Sequence, residues 1–256
     1  MIDCKVDGHI AVITLNNPSA NTFTALGLTE LDRVITELDG NLDVYATIIT
    51  GQGEKFFSAG ADLKTFADGD KAEARRMARL FGAAFETLQN ARPVTIAAIN
   101  GYAMGGGLEC ALACDLRIAE EQAQMALPEP SVGLLPAGCG TQTLPWLVGE
   151  GWAKRMILTN ERLGAAKALS IGLVEEVVPR GEALSAALEL AKRVSTLSPR
   201  AVNFSKQLIH QARQGTPRHA ALSLERERFL DLFDGADQLE GVNAFLEKRK
   251  PVWKNA

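Results

Sequence analysis

Two apolar rhythms alternate along the first two thirds of this chain. Residues 9–15 (His-Ile-Ala-Val-Ile-Thr-Leu) and 44–50 (Val-Tyr-Ala-Thr-Ile-Ile-Thr) are β-branched runs that end on Asn16-Asn17-Pro18 and Gly51-Gln52-Gly53. Such runs bounded by turn residues read as strands. Between them Leu28, Leu31, Val34, Ile35 and Leu38 recur at three- and four-residue spacing, which predicts one buried helix face stopped by Gly40-Asn41. A second helix is predicted over 72–90, with Met77, Leu80, Phe81, Ala84, Phe85 and Leu88 on one face, ended by Arg92-Pro93. A strand follows at Val94 to Ile99, then a Gly-rich turn, then an apolar segment from Leu108 to Ala119.

Strand signals stop near Gly181. The remainder reads as helices over 182–195, 199–214, 217–233 and 236–249, with Pro199 and Pro217 as first-turn prolines. Alternating strands and helices imply an α/β core with ligand sites in the turns that follow strands. The expected organisation is a core over 1–195 and a helical region over 196–256, with no Gly/Ser/Pro-rich linker between them. Apolar positions such as Phe229, Leu232 and Phe233 suit a subunit boundary. No period of 20 to 50 residues repeats, although strand, Gly-rich turn and helix occur twice.

Composition narrows the function classes. The 256 residues carry 27 Lys and Arg against 31 Asp and Glu, a net charge of −4, which argues against a nucleic-acid partner. Hydrophobic residues at 46% and charged residues at 23% are a globular mixture. Cys4, Cys110, Cys114 and Cys139 form no C-x-x-C pair, and with 3 histidines no zinc signature assembles, so buried reduced thiols of a cytosolic protein are expected and no metal. Asp3 and Lys5 interrupt the place of a signal peptide, and no run reaches the ~18 apolar residues of a membrane span. A cytoplasmic protein without a membrane partner is the expectation. His9, His210 and His219 and the tryptophans at 146, 152 and 253 fall outside every motif and read as packing residues.

Gly101-Tyr-Ala-Met-Gly-Gly-Gly-Leu-Glu109 invites a phosphate-loop reading, but no Gly-Lys-Ser/Thr closes it and no third glycine completes G-x-G-x-x-G. Three glycines before a helix either make a tight turn or bare their N–H groups toward an oxyanion. Phe56-Phe-Ser-Ala-Gly-Ala-Asp-Leu-Lys64 has the same character, and Pro136-Ala-Gly-Cys-Gly-Thr-Gln142 is a third candidate turn. Glu109 opens a helix among apolar neighbours, and Glu129 lies in Leu127-Pro128-Glu129-Pro130. Two carboxylates beside a polarising site permit acid and base roles together, although isolated glutamates are mostly surface residues.

Ser58 to Lys64, Asn100 to Glu109, Cys114-Asp115, Leu127-Pro128-Glu129 and Gly140-Thr141-Gln142, with Ala244 to Arg249 at the far end, together resemble the enoyl-CoA hydratase (crotonase) family along essentially the whole chain. The resemblance implies a spiral of ββα units with a C-terminal helical trimerisation region. It also implies a coenzyme A thioester held by the N–H groups of Ala61 and Gly106, with Ala61, Asp62, Leu63 and Lys64 lining the coenzyme A site. Phe229 and Lys248 match the C-terminal positions that meet the nucleotide end, often across a subunit boundary. Both acid/base positions of the hydratases are filled, by Glu109 and Glu129, which points to a hydro-lyase of fatty acid β-oxidation type. Glu109 is expected to activate water and protonated Glu129 to supply the α-proton. No cofactor is expected beyond the coenzyme A of the substrate. Where the family often has Pro-Gly, this chain has Pro136-Ala137, which bears on the water position and acyl-pocket shape. The expected assembly is a homotrimer or a dimer of trimers. The alternatives are another reaction of the family, such as double-bond isomerisation or carnitinyl-CoA-type dehydration, or a non-catalytic module binding acyl-CoA or RNA.

Overall fold

The computed structural model describes residues 1–255, and its architecture follows from a unit used three times. Each unit is one longer strand, one strand of three residues, and a helix. The first has β3 (Ala46–Gly51), β4 (Phe56–Ser58) and α2 (Lys71–Asn90). The second has β5 (Val94–Ile99), β6 (Tyr102–Met104) and α3 (Gly106–Ala113), and the third β7 (Leu116–Glu120), β8 (Gln124–Ala126) and α4 (Gly140–Leu158). Ahead of them come the hairpin β1 (Ile2–Asp7) and β2 (Ile10–Leu15), then α1 (Ala25–Gly40). After them come β9 (Leu163–Gly164), α5 (Ala165–Ser170), β10 (Glu176–Val178) and α6 (Ala183–Val194).

Longer strands pair with longer strands and short with short, so each unit adds one rung to two sheets at once. The large sheet has the order β1-β2-β3-β5-β7-β10 and is parallel except for the β1–β2 hairpin. The small sheet has the order β4-β6-β8-β9, with β9 antiparallel. This is the expected ββα spiral. The repeat is invisible as a fixed period because α2 has 20 residues and α3 only 8.

Alternate residues of the large sheet face two different cores. Ile48, Val94, Ile96 and Ala98 meet Ala183, Ala187 and Ala191 of α6 on one side. Ile13, Ile49, Ala97 and Ile99 meet α1, α2 and the small sheet on the other. Burial of both faces turns β3 and β5 into continuous apolar runs, which is why the sequence marked them. The segment from Leu108 to Ala119 divides into α3 and β7. β1 was not foreseen, because an edge strand reading Ile-Asp-Cys-Lys-Val-Asp leaves all but Ile2 exposed. Cys4 on it is exposed, against the expectation of buried thiols, whereas Cys110 and Cys114 are buried and Cys139 is half-buried. Trp146 is likewise exposed rather than packed.

The helical region comprises α7 (Pro199–Arg213), α8 (Arg218–Asp231) and α9 (Ala236–Leu246). Pro199 takes the first-turn position behind the Ser198 cap, whereas Pro217 is itself the cap of α8. α9 stops at Leu246, short of the expected 249, and Lys248 beyond it has a left-handed φ of 56°. α7 is tied to the core by a buried cation. Lys206 Nζ donates to the carbonyls of Ala91 (2.6 Å) and Pro93 (3.0 Å) and pairs with Asp115 at 2.7 Å. Asp115 in turn accepts from the N–H and hydroxyl of Thr95. Burial alone would raise the Asp115 pKa, but His210, Lys206 and Thr95 outweigh it and hold the carboxyl low. Among the described residues no helix is long and apolar enough to cross a membrane.

Removing one partner of a buried pair leaves the other charge uncompensated, at a cost of about 3–5 kcal/mol. Lys206→Met is therefore expected to lower the urea-unfolding free energy by about that amount. A loss under ~1 kcal/mol, the range of an exposed pair, would show that the ion pair does not fasten α7.

Candidate active site

β4 and β6 each run into a Gly-rich turn, and the two turns meet through bare backbone. A Cβ on Gly107 would stand 2.2 Å from the Ser58 carbonyl oxygen, and one on Gly60 2.6 Å from the Met104 oxygen and 2.9 Å from the Gly106 nitrogen. Gly60 also sits at φ 85°. Only glycine permits both the conformation and the approach. Ser58 Oγ fastens the first turn, donating to the Asn21 carbonyl (2.7 Å) and accepting from Gly60 N–H (3.1 Å).

That contact places Gly106 beside the turn that carries Ala61. Phe23 bridges to Ala61 in parallel register: Phe23 N–H donates to Gly60 O and Asp62 N–H to Phe23 O. Successive N–H groups of extended chain point to opposite sides, so that of Ala61 faces away from Phe23. Gly106 begins α3, and its N–H is one of the donors a helix start leaves over. Ala61 and Gly106 both line a cavity of about 410 Å³, together with Glu109 and Glu129. Its remaining wall is apolar: Phe66, Ala74, Ala78 and Phe81 on one side, Leu134, Leu135 and Ala137 on the other.

The two glutamates are in unlike surroundings. Glu109 lies in the first turn of α3, whose residues are all buried. Its Oε1 accepts three successive backbone N–H groups, from Gly138 (2.8 Å), Cys139 (2.9 Å) and Gly140 (2.8 Å), at the turn that opens α4. A run of N–H groups converging on one oxygen is an anion cradle, and all three bonds fall on Oε1. Glu129 opens a 3-10 turn, Glu129–Val132, and its Oε2 is buried without a hydrogen-bond partner among the described residues. Burial pushes its carboxyl up to about 7, its own backbone N–H pulls the other way, and the charge of Glu109 adds to the rise. One oxygen of Glu129 lies over the Gly-rich turn, 2.8 Å from where a Gly105 Cβ would be. The cavity therefore holds one carboxyl engaged by three backbone N–H groups and a second that burial pushes up to about 7.

A larger groove of about 700 Å³ runs along α7 past Asp115, Lys206 and His210. Its ionic groups already engage each other, with His210 Nε2 3.5 Å from Asp115, so Asp115 and His210 belong to the α7 anchor and not to the chemistry.

Glu109, Glu129, Ala61 and Gly106 are thus brought together as expected, on one cavity. Asp62 Oδ1 caps the 3-10 turn Leu63–Phe66 by accepting from Lys64 N–H at 3.1 Å. Leu63 and Lys64 on that turn are exposed. Phe229 is exposed and packs edge-on against Phe233 at 5.4 Å. Neither Phe229 nor Lys248 lines the cavity. The wall residues Ala74, Ala78, Leu134 and Leu135 were not foreseen. The third Gly-rich turn was, but not its task of holding Glu109.

The model of the enoyl-CoA hydratase/isomerase family matches residues 5–256. The chain belongs to that family. A short-chain-enoyl-CoA hydratase from Clostridium acetobutylicum is 41% identical over 95% of this chain and 94% of its own. An enoyl-CoA hydratase structure from Bacillus anthracis is 37% identical and superposes with a TM-score of 0.96 over 100% of this chain and 99% of its own. The structure of Pseudomonas aeruginosa DspI is 63% identical, with a TM-score of 0.96 over 99% and 96% of the two chains. Enoyl-CoA hydratase/isomerase membership accounts for the shared spiral, and the reaction must be argued from the site itself.

Proposed function

We propose that this protein is a hydratase that adds water across the C2–C3 double bond of a 2-enoyl-CoA thioester. The observation that carries this reading is the pair of glutamates in unlike surroundings on one cavity, Glu109 in its N–H cradle and Glu129 buried and pushed up to about 7. Hydration needs a base for the water and an acid for the α-carbon in the same turnover. An isomerisation needs one group that takes a proton and returns it.

The steps balance on these groups. Glu109 Oε2 takes a proton from water as the water oxygen bonds to C3. The C2–C3 π pair moves to C2 and onto the thioester oxygen, which the N–H groups of Ala61 and Gly106 stabilise; one such donor is typically worth about 3–4 kcal/mol. The enolate then takes the Glu129 proton at C2, giving the 3-hydroxyacyl thioester. Proton transfer from Glu109 to Glu129, directly or through solvent, resets the site. No step calls on a group beyond the coenzyme A of the substrate. Leu63, Lys64 and the capped Asp62 continue from Ala61 as the coenzyme A side of the site. A cytoplasmic setting without nucleic-acid or membrane partners accords with the net charge of −4 and the ordinary globular composition.

Glu109→Gln and Glu129→Gln are each expected to lower kcat on crotonyl-CoA by at least ~100-fold, because general acid–base groups contribute about that much. In the parent, kcat/KM should fall as pH rises through about 7, since Glu129 must hold its proton to deliver it. Mass analysis in ¹⁸O-water should find the label at C3. Near-parental turnover by either variant, or an unlabelled isomerised product, would overturn the hydratase reading.

The helical region supports a homotrimer, or a dimer of trimers, in which Phe229 and Lys248 meet the nucleotide end of the substrate across a subunit boundary. Phe229, Leu230, Phe233, Phe245 and Leu246 are large, apolar and exposed in the single chain, more than a soluble surface normally leaves bare. Light scattering at micromolar concentration should give a multiple of three protomers. A monomer would remove both the assembly and the role of these two residues.

A further inference from the structure

The apolar wall of the cavity has a direction. Ala74, Ala78 and Phe81 fall at i, i+4 and i+7 of α2, so they form one stripe along the helix. Phe81 marks the catalytic end, because a Cβ on Gly106 would stand 2.8 Å from its ring. At 1.5 Å per residue, Ala78 lies ~4.5 Å and Ala74 ~10 Å farther along α2. Apart from the glutamates at the catalytic end, the residues that line the cavity bring no charge to this stretch. Beyond Phe81 the stripe presents only the methyl groups of Ala78 and Ala74, where larger side chains would close it. Across the cavity Leu134 and Leu135 are 40% and 66% exposed, apolar side chains with nothing of this chain laid over them.

Resting on the hydratase reading, we propose that the Ala74–Ala78 stripe and Leu134–Leu135 form an acyl groove that selects medium-chain 2-enoyl-CoA thioesters over crotonyl-CoA. An extended chain advances roughly 1.2 Å per single bond, as three bonds of extended backbone span ~3.4 Å. The tail of a six-carbon acyl group therefore ends near Ala78, and that of a ten-carbon group near Ala74. A crotonyl group ends before either alanine and leaves both leucines bare. A fully buried methylene strengthens binding about fourfold, and a half-open groove gives part of that.

The test is a length series, crotonyl-, hexenoyl-, octenoyl- and decenoyl-CoA, on the parent, Ala78→Phe and Ala74→Phe. Affinities for the matching saturated acyl-CoA thioesters, which cannot be hydrated, are measured alongside. In the parent, kcat/KM should rise by at least about tenfold from crotonyl to octenoyl, with affinity for the saturated series rising in step. Ala78→Phe should move the length optimum down to crotonyl or hexenoyl. Ala74→Phe should cut decenoyl relative to octenoyl and keep the rise at shorter lengths. Two different cut-offs in that order are the signature of a groove, because a merely structural defect lowers every length alike. A parent that hydrates crotonyl-CoA best and loses activity with length, or two variants with one common cut-off, would overturn the groove and leave the hydratase reading standing. A saturated-series ladder without hydration at any length would uphold the groove and overturn the hydratase reading.

Discussion

Everything in this site depends on a place where no side chain fits. Gly107 lies against the Ser58 carbonyl, and Gly60 against Met104 and Gly106, so two turns from different units are pressed backbone to backbone. The contact joins the end of β4 to the start of α3 and sets the heading of that helix. With the heading fixed, Ala61, Gly106 and, one turn on, Glu109 all line one cavity. A methyl group at either glycine would part the turns and move all three. The fully buried α3 then holds the arrangement against the core, since packed interiors transmit displacement rather than absorb it.

The second dependency is the difference between two carboxyl groups that share a cavity. Three N–H groups complement Glu109, and Glu129 is left with a buried bare oxygen. A low-dielectric site strengthens both effects, because an engaged oxygen gains and a bare one loses as water withdraws. The same fold can therefore hold two carboxyl groups in unlike environments within one apolar pocket. The α7 anchor applies the same rule elsewhere: Lys206 and Asp115 are buried because each, with Thr95, Ala91 and Pro93, leaves no polar atom of the other unanswered.

Much of this was legible before the fold. The helix faces around Leu31 and Phe85 announce themselves by period, the strands at 10–15, 46–51 and 94–99 as apolar, β-branched runs, and Glu109, Glu129, Ala61 and Gly106 by the motifs around them. What stayed hidden has physical reasons. Strands of three residues, β4, β6 and β8, are too short to show an alternation, so the second sheet leaves no trace in the pattern. The Glu109 cradle is built of peptide N–H groups, which every residue but proline carries, and only the small residues of 138–140 hint at it. Ala74 and Ala78 look like ordinary helix formers, and the opposing wall, Leu134 and Leu135, lies more than fifty positions away. Lys206 carries no signal in the sequence pattern, and its pairing with Asp115 exists only once the chain closes over both.

The most direct measurement of the central claim, that burial in the cavity raises the Glu129 carboxyl while Glu109 sits in its N–H cradle, is a carboxyl titration of the folded protein labelled with ¹³C at the glutamate side-chain carboxyls. The expected result is one resonance that titrates near pH 7, vanishes in Glu129→Gln, and moves to lower pH, still above an ordinary glutamate, in Glu109→Gln. A spectrum in which every glutamate titrates in the ordinary carboxylate range, with no resonance near 7 to assign to Glu129, would contradict it.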